Sequence, residues 1–131
     1  MLNNAVVLWM AACQKIVAQS TAEAEYYSLG TAAQDVIFMR ELLHHLGLPQ
    51  DEATVIYEDN QACISIASNP LTSKKARHIM TKYHLVRQLI EENTIELKYT
   101  PTEDMLADIF TKALNPTQHI KFTRLIMNIK D

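Results

Sequence analysis

A chain of 131 residues, 48% hydrophobic and 21% charged, is expected to form one α/β domain over residues 1–131 around a single core. Two glycines and four prolines argue against a loop-rich all-β fold, and no apolar run approaches the roughly 18 residues of a membrane span. The net charge of −3 hides an uneven distribution, for the first acid is Glu23 and none falls between Asp59 and Glu91.

The opening MLNNAVVLWMAAC lacks the basic region of a signal peptide, so a cytosolic or nuclear location is expected. Cys13 and Cys63 form no CxxC pattern, which predicts reduced, inert core thiols rather than a disulfide or a zinc site. AVVLW and KIVAQ, residues 5–9 and 15–19, read as one long or interrupted strand, with Trp9 in the core. Ser20 then opens a helix, and Glu23 three residues later completes a capping-box pattern. That helix is expected to run to about Leu46, where Gly47 and Pro49 stop it.

TVIYE, residues 54–58, reads as a strand that ends on Glu58-Asp59 and turns at once into a short helix over 60–68. A basic helix follows from about Ala76 to Glu92, and TIELKYT, residues 94–100, alternates as a second strand. Thr102 is expected to cap a helix reaching about Leu114, and Asn115-Pro116 to start a last one. Strands separated by helices predict a sheet that is parallel at least in part.

Three acids stand out on chemical grounds. At 100° per residue, Leu29, Ala32, Val36, Met39 and Leu43 fall within about 40° of one line along the first helix, and Glu25 lies on it. An ionised carboxylate facing a core costs several kcal/mol unless it is paired, which marks Glu25 for a special role, whereas Glu23 points towards solvent. Asp59 is either a helix cap or a site residue beyond the carboxyl end of a strand, where ligands of α/β sheets collect. Farther on, an apolar stripe through Met105, Ile109 and Ala113 has Asp108 at its edge. Periodicity does not choose between Asp104 and Asp108.

Carboxylates brought together repel one another and need a cation. Oxygen donors without cysteine or paired histidine favour Mg²⁺ or Mn²⁺. His44 and His45 point about 100° apart, and His78 and His84 are six residues apart, so neither pair chelates. The acid-free run SKKARHIMTKYH either tracks nucleic-acid phosphates or forms a solvated face.

STAEAEYYSL, IYEDNQACISIASNP, ARHIMTKYHLVRQLIE and ELKYTPTEDMLADIFTKAL, in that order, resemble successive signatures of the ribonuclease H domain of copia-type LTR retrotransposons. The resemblance implies a ribonuclease-H-like mixed sheet flanked by helices, here lacking the first strand and most of the second. It further implies cleavage of the RNA strand of an RNA–DNA hybrid with two Mg²⁺ (or Mn²⁺) ions, by a domain that follows the reverse transcriptase in Pol. Position by position, it assigns Glu25, Asp59 and Asp108 as catalytic, metal-holding residues. Lys74, Lys75, Arg77 and Lys82 become phosphate contacts, and Asn60 either caps its helix or bonds the sugar edge of the hybrid. The expected protein partners are the reverse transcriptase portion of Pol or a second copy of the chain.

The family's first catalytic Asp has no counterpart here, and Met80 stands in HIMTKYH where an acid is usual. The chain alone is therefore expected to cleave slowly or not at all. The alternative is a non-catalytic nucleic-acid-binding or assembly module that retains the scaffold.

Overall fold

The computed structural model describes residues 20–68 and 80–129 together with residues 6, 8, 10 and 11, and of residues 80–82 the backbone alone. Most of the expected strand over 5–9 and 15–19, with Trp9 and Cys13, lies outside the described residues, and residues 6 and 8 within it are in no regular element. So do His78, the basic residues Lys74, Lys75 and Arg77, and the side chain of Lys82.

The described chain is mixed α/β, with four α-helices and a two-stranded parallel sheet. Residues 20–101 belong to one compact unit and residues 102–129 to a second. Among the described residues no helix is long and apolar enough to cross a membrane.

The first unit begins with α1, Thr21–His45. Its N-cap is Ser20, whose hydroxyl accepts the Glu23 N–H at 3.1 Å, as the capping pattern predicts. Gly47 ends it at φ 76°, and the next N–H, from Leu48, returns 2.9 Å to the Leu43 carbonyl. Such a left-handed residue satisfies carbonyls left open at a helix end, and glycine adopts it without a steric penalty. The Arg40 guanidinium donates to Thr54 Oγ1 at 2.9 Å and to the carbonyls of Glu52 and Gln50, binding the loop after α1 back to that helix.

β1 is Thr54–Glu58, α2 is Gln61–Ser68, α3 is Met80–Glu91 and β2 is Ile95–Tyr99. The strands pair in parallel from Thr54 opposite Ile95 to Glu58 opposite Tyr99. Bonds from Thr54 N–H to Thr94 and from Thr100 N–H to Glu58 extend the ladder at both ends. Asn93, at φ 54°, ends α3 much as Gly47 ends α1, with the Thr94 N–H bonded to the Leu89 carbonyl.

The core of this unit joins Tyr26, Leu29 and Ala33 of α1 to Cys63 and Ala67 of α2, Val86 and Leu89 of α3, and Ile95 of β2. Ile56 and Leu97 pack on it from the helix-facing side of the sheet, while Tyr57, Glu96 and Lys98 alternate outward. Tyr26 donates its hydroxyl to the Tyr83 carbonyl at 3.3 Å, and the two rings lie 5.4 Å apart.

That aromatic pair corrects one expectation about α1. Leu29, Val36 and Leu43 of the expected stripe are buried or packed on the core, but the buried line also takes in Tyr26, Ala33 and the partly buried Ile37, while Ala32 and Met39 are only partly buried and lie off it. Tyr26 buries a large aromatic ring and its hydroxyl finds a buried acceptor, which this rotation of the helix accommodates. Glu25 consequently sits about 70° from the centre of that line, half-buried at its margin.

In the second unit the single helix expected over 102–114 is replaced by two 3₁₀ turns, Thr102–Asp104 and Leu106–Phe110. Met105 between them is extended, at φ −71° and ψ 101°. Threonine and aspartate, concentrated here, compete with a helix for their own backbone groups. α4 spans Pro116–Ile126; its N-cap Asn115 accepts the Gln118 N–H at 2.8 Å, and Pro116 stands in the first turn, as expected. Phe122 is the buried residue of α4, and Lys121 meets Asp104 at 2.8 Å.

Candidate functional site

β1 points its carboxyl end at the start of α2, and the sharp turn between them is made by Glu58, Asp59 and Asn60. Of the two readings open for Asp59, the helix cap goes to its neighbour. Asn60 Oδ1 accepts the N–H groups of Ala62 at 3.0 Å and Cys63 at 3.2 Å. Asp59 therefore stands between strand end and cap, half-buried, at the position where α/β sheets gather ligands.

Glu58 was not singled out by the sequence and is the most unusual residue here. It is only 7% exposed. Its Oε1 accepts the Asn60 N–H at 3.1 Å, and its carboxylate also bonds the Cys63 thiol. Burial pushes its carboxyl up to about 6; the Asn60 N–H opposes the rise, and the charges of Glu25 and Asp59 add to it. The signal lay in the period of the strand, since Glu58 falls two residues after core-facing Ile56 and so on the same face.

Glu25, in the second turn of α1, is thus coupled to Glu58 and also acts on Cys63. The Cys63 thiol is fully buried, and burial, then Glu58 and Glu25, push it up to about 12. It stays a neutral thiol, in keeping with the inert role expected of it.

In the second unit Asp108 is 7% exposed, and Lys112 Nζ lies 2.9 Å from its Oδ2. Asp104 is exposed and pairs with Lys121 instead. Burial thus separates two acids that periodicity left equivalent. Among the described residues, no group of three or more His, Cys, Asp or Glu side chains is arranged to hold a metal ion.

Comparison with known proteins places the chain among transposon proteins. It is 31% identical over 129 residues to the retrovirus-related Pol polyprotein from transposon RE2 of Arabidopsis thaliana, covering 98% of this chain and 9% of the relative. It is 30% identical over 112 residues to the corresponding polyprotein from transposon TNT 1-94 of Nicotiana tabacum, with 86% of this chain and 8% of the relative covered. The polyprotein from transposon RE1 of Arabidopsis thaliana is 30% identical over 125 residues, again spanning 8% of that relative. The chain thus spans less than a tenth of the length of these relatives. No family model and no solved structure matches it. Aligned over nearly its whole length with one short stretch of each, the chain belongs to the Pol polyproteins of copia-type retrotransposons.

Proposed function

We propose that the chain is a ribonuclease-H-type segment of Pol that hydrolyses the RNA strand of an RNA–DNA hybrid, with β1 and β2 as the parallel pair of a ribonuclease-H-like sheet. The observation that carries this reading is the electrostatic crowding of Glu25, Glu58 and Asp59 at the carboxyl end of β1. Negative charges gathered around the buried Glu58 carboxylate favour a cation, and carboxylate oxygens suit Mg²⁺ or Mn²⁺. In this reading Glu25 and Asp59 are ligands, and Asp108 is the further carboxylate that the ribonuclease H resemblance assigns. Bound ions of this kind supply an activated water and charge stabilisation of the leaving oxygen.

The chain's own residues orient and attract. Asn60 Oδ1 is engaged in the cap of α2, so the amide group of its side chain is the part offered to the sugar edge. Lys74, Lys75, Arg77 and Lys82 track the phosphates. The reverse transcriptase portion of Pol and a second copy of the chain are the proposed protein partners.

A second reading, a nucleic-acid-binding or assembly module without catalysis, is favoured by one observation. Lys112 Nζ lies 2.9 Å from Asp108 Oδ2, so that buried carboxylate is already neutralised by a side chain of its own unit.

A labelled hybrid incubated with the protein and Mg²⁺ or Mn²⁺ separates the two. Slow cleavage confined to the RNA strand and abolished by Asp59→Asn is the expected result. Binding of the hybrid without cleavage supports the second reading, and neither binding nor cleavage overturns both.

A further inference from the structure

We propose that Glu58 is a positioning residue for Asp59: its buried carboxylate holds the turn from β1 into α2 so that the Asp59 side chain is presented at one fixed place. This rests on the reading of Asp59 as a metal ligand.

The bonding on either side of Asp59 carries the argument. The main-chain carbonyl of Glu58 accepts the Thr100 N–H at 3.0 Å, which pins that residue to the end of β2. Its side chain reaches over Asp59 to accept the Asn60 N–H at 3.1 Å. Asn60 in turn is fastened to the first turn of α2 through the N–H groups of Ala62 and Cys63. Asp59 is the single residue between two anchored neighbours, and one side chain supplies the brace between them. A ligand held in this way loses little freedom on binding a cation, and the partners that orient metal ligands contribute strongly to affinity.

The same geometry excludes a direct role. Glu58 lies under the turn, 7% exposed, against the Cys63 thiol. Its face of β1 is the one that packs on the helices through Ile56. A position of that kind takes an apolar residue unless its polar group has work to do, because an acid there gives up its hydration. The work available is to accept the Asn60 N–H. A peptide N–H next to a helix start needs an acceptor, and an anionic one is strong.

The bond and the charge are separable. Glu58→Gln keeps an acceptor oxygen at the same reach and removes the charge. Glu58→Asp keeps the charge and withdraws it by one methylene, and Glu58→Met removes both. Mn²⁺ affinity of the 131-residue protein, read from free Mn²⁺ by paramagnetic resonance, is the measurement, with hybrid cleavage as a second readout.

Positioning predicts that Gln binds Mn²⁺ within about twofold of the parent, while Asp and Met weaken it on the order of 10-fold or more and lower kcat with KM unchanged. The reverse order, with Asp retained and Gln lost, or a flat series, overturns the proposal. Should Met fail to fold, the Gln–Asp comparison alone decides, since each keeps a polar group in the cavity. Asp59→Asn is the control that separates the two levels. If it leaves Mn²⁺ binding intact, the reading of the site falls and this assignment with it. If it abolishes binding while the Glu58 series is flat, this assignment alone falls.

Discussion

Lys112 closes over Asp108: its exposed ammonium stands 2.9 Å from a carboxylate whose side chain is only 11% exposed. One turn of backbone separates them, and the Lys112 N–H also returns 2.8 Å to the Asp108 carbonyl. Removing the cation leaves a shielded anion with less compensation, and the cost is set by how wet the pair is. Lys112→Met is expected to lower stability by about 1 kcal/mol in urea unfolding, and the added change Asp108→Asn to recover part of the loss. Additive losses in the double variant would show that the pair is not coupled.

The cap of α2 separates neighbours that look interchangeable in the sequence. Asn60→Ala should cost about 1 kcal/mol, the usual penalty for an emptied N-cap. Asp59→Asn should change stability by less than about 0.5 kcal/mol, because the charge it removes is one that repels Glu58. Urea midpoints of the two variants at pH 7 make the comparison, and a costlier Asp59→Asn would return the cap to Asp59.

Glu58 gives the protein a pH dependence whose sign follows from its raised carboxyl, about 6 against an ordinary 4.5. Between those values the folded protein binds a proton that the unfolded chain has released. Stability from this group is therefore complete below the lower value and is lost as pH rises through the upper one, by up to roughly 2 kcal/mol. Glu25 and Asp59 face it as acids and Cys63 as a neutral thiol, so none reverses the sign. Urea unfolding in EDTA from pH 4 to 7.5 should show the decline, and Glu58→Gln should remove that part of it. A slope unchanged in the variant would assign the decline to other groups.

Much of this arrangement is written locally. Ser20 with Glu23, Gly47, and Asn115-Pro116 each act over a few residues, and the helix boundaries they set agree with the structure. Strand 54–58 is equally local, since its β-branched run and flanking turn residues suffice. What escapes local reading is whatever depends on a partner distant in sequence. The rotation of α1 is decided by Tyr26 meeting Tyr83. The role of Glu58 depends on a turn whose cap could have been either of two adjacent residues. The stretch 102–114 has a helical apolar spacing, yet its backbone follows the extended Met105. Asp108 was distinguished from Asp104 by resemblance alone; the structure separates them only by burial, Asp108 being buried and Asp104 exposed.

The buried Cys63 thiol, pushed up to about 12, should resist modification. In a Cys13→Ser background, a thiol reagent at pH 8 should label Cys63 only as fast as the protein opens, and labelling should become complete in denaturant. Rapid labelling under native conditions would contradict the buried position.

The basic residues of the acid-free run carry a separate expectation. Replacing Lys74, Lys75 and Arg77 by Ala should weaken binding of hybrids of every sequence alike. It should also flatten the dependence of log K on log salt by up to about 0.7–0.9 per lost phosphate contact. Unchanged affinity and slope would reduce the run to a solvated face.

Because β1 and β2 run side by side in the same direction, no tight turn can zip them together. Their pairing must wait until the crossover carrying α2 and α3 has brought its ends close, so the entropy of closing that long loop is lost before any ladder bond forms. Helix α1, whose backbone hydrogen bonds join residues a few positions apart, needs no such delay. On a ribosome β1 emerges well before the strand that completes it, with the acid-bearing turn already at its end but nothing yet to pin Glu58 from the β2 side. The brace around Asp59 is thus among the last features of this unit to be secured, and a chain interrupted before Thr100 would have Glu25 and Asp59, the proposed ligands, without the frame that aims them.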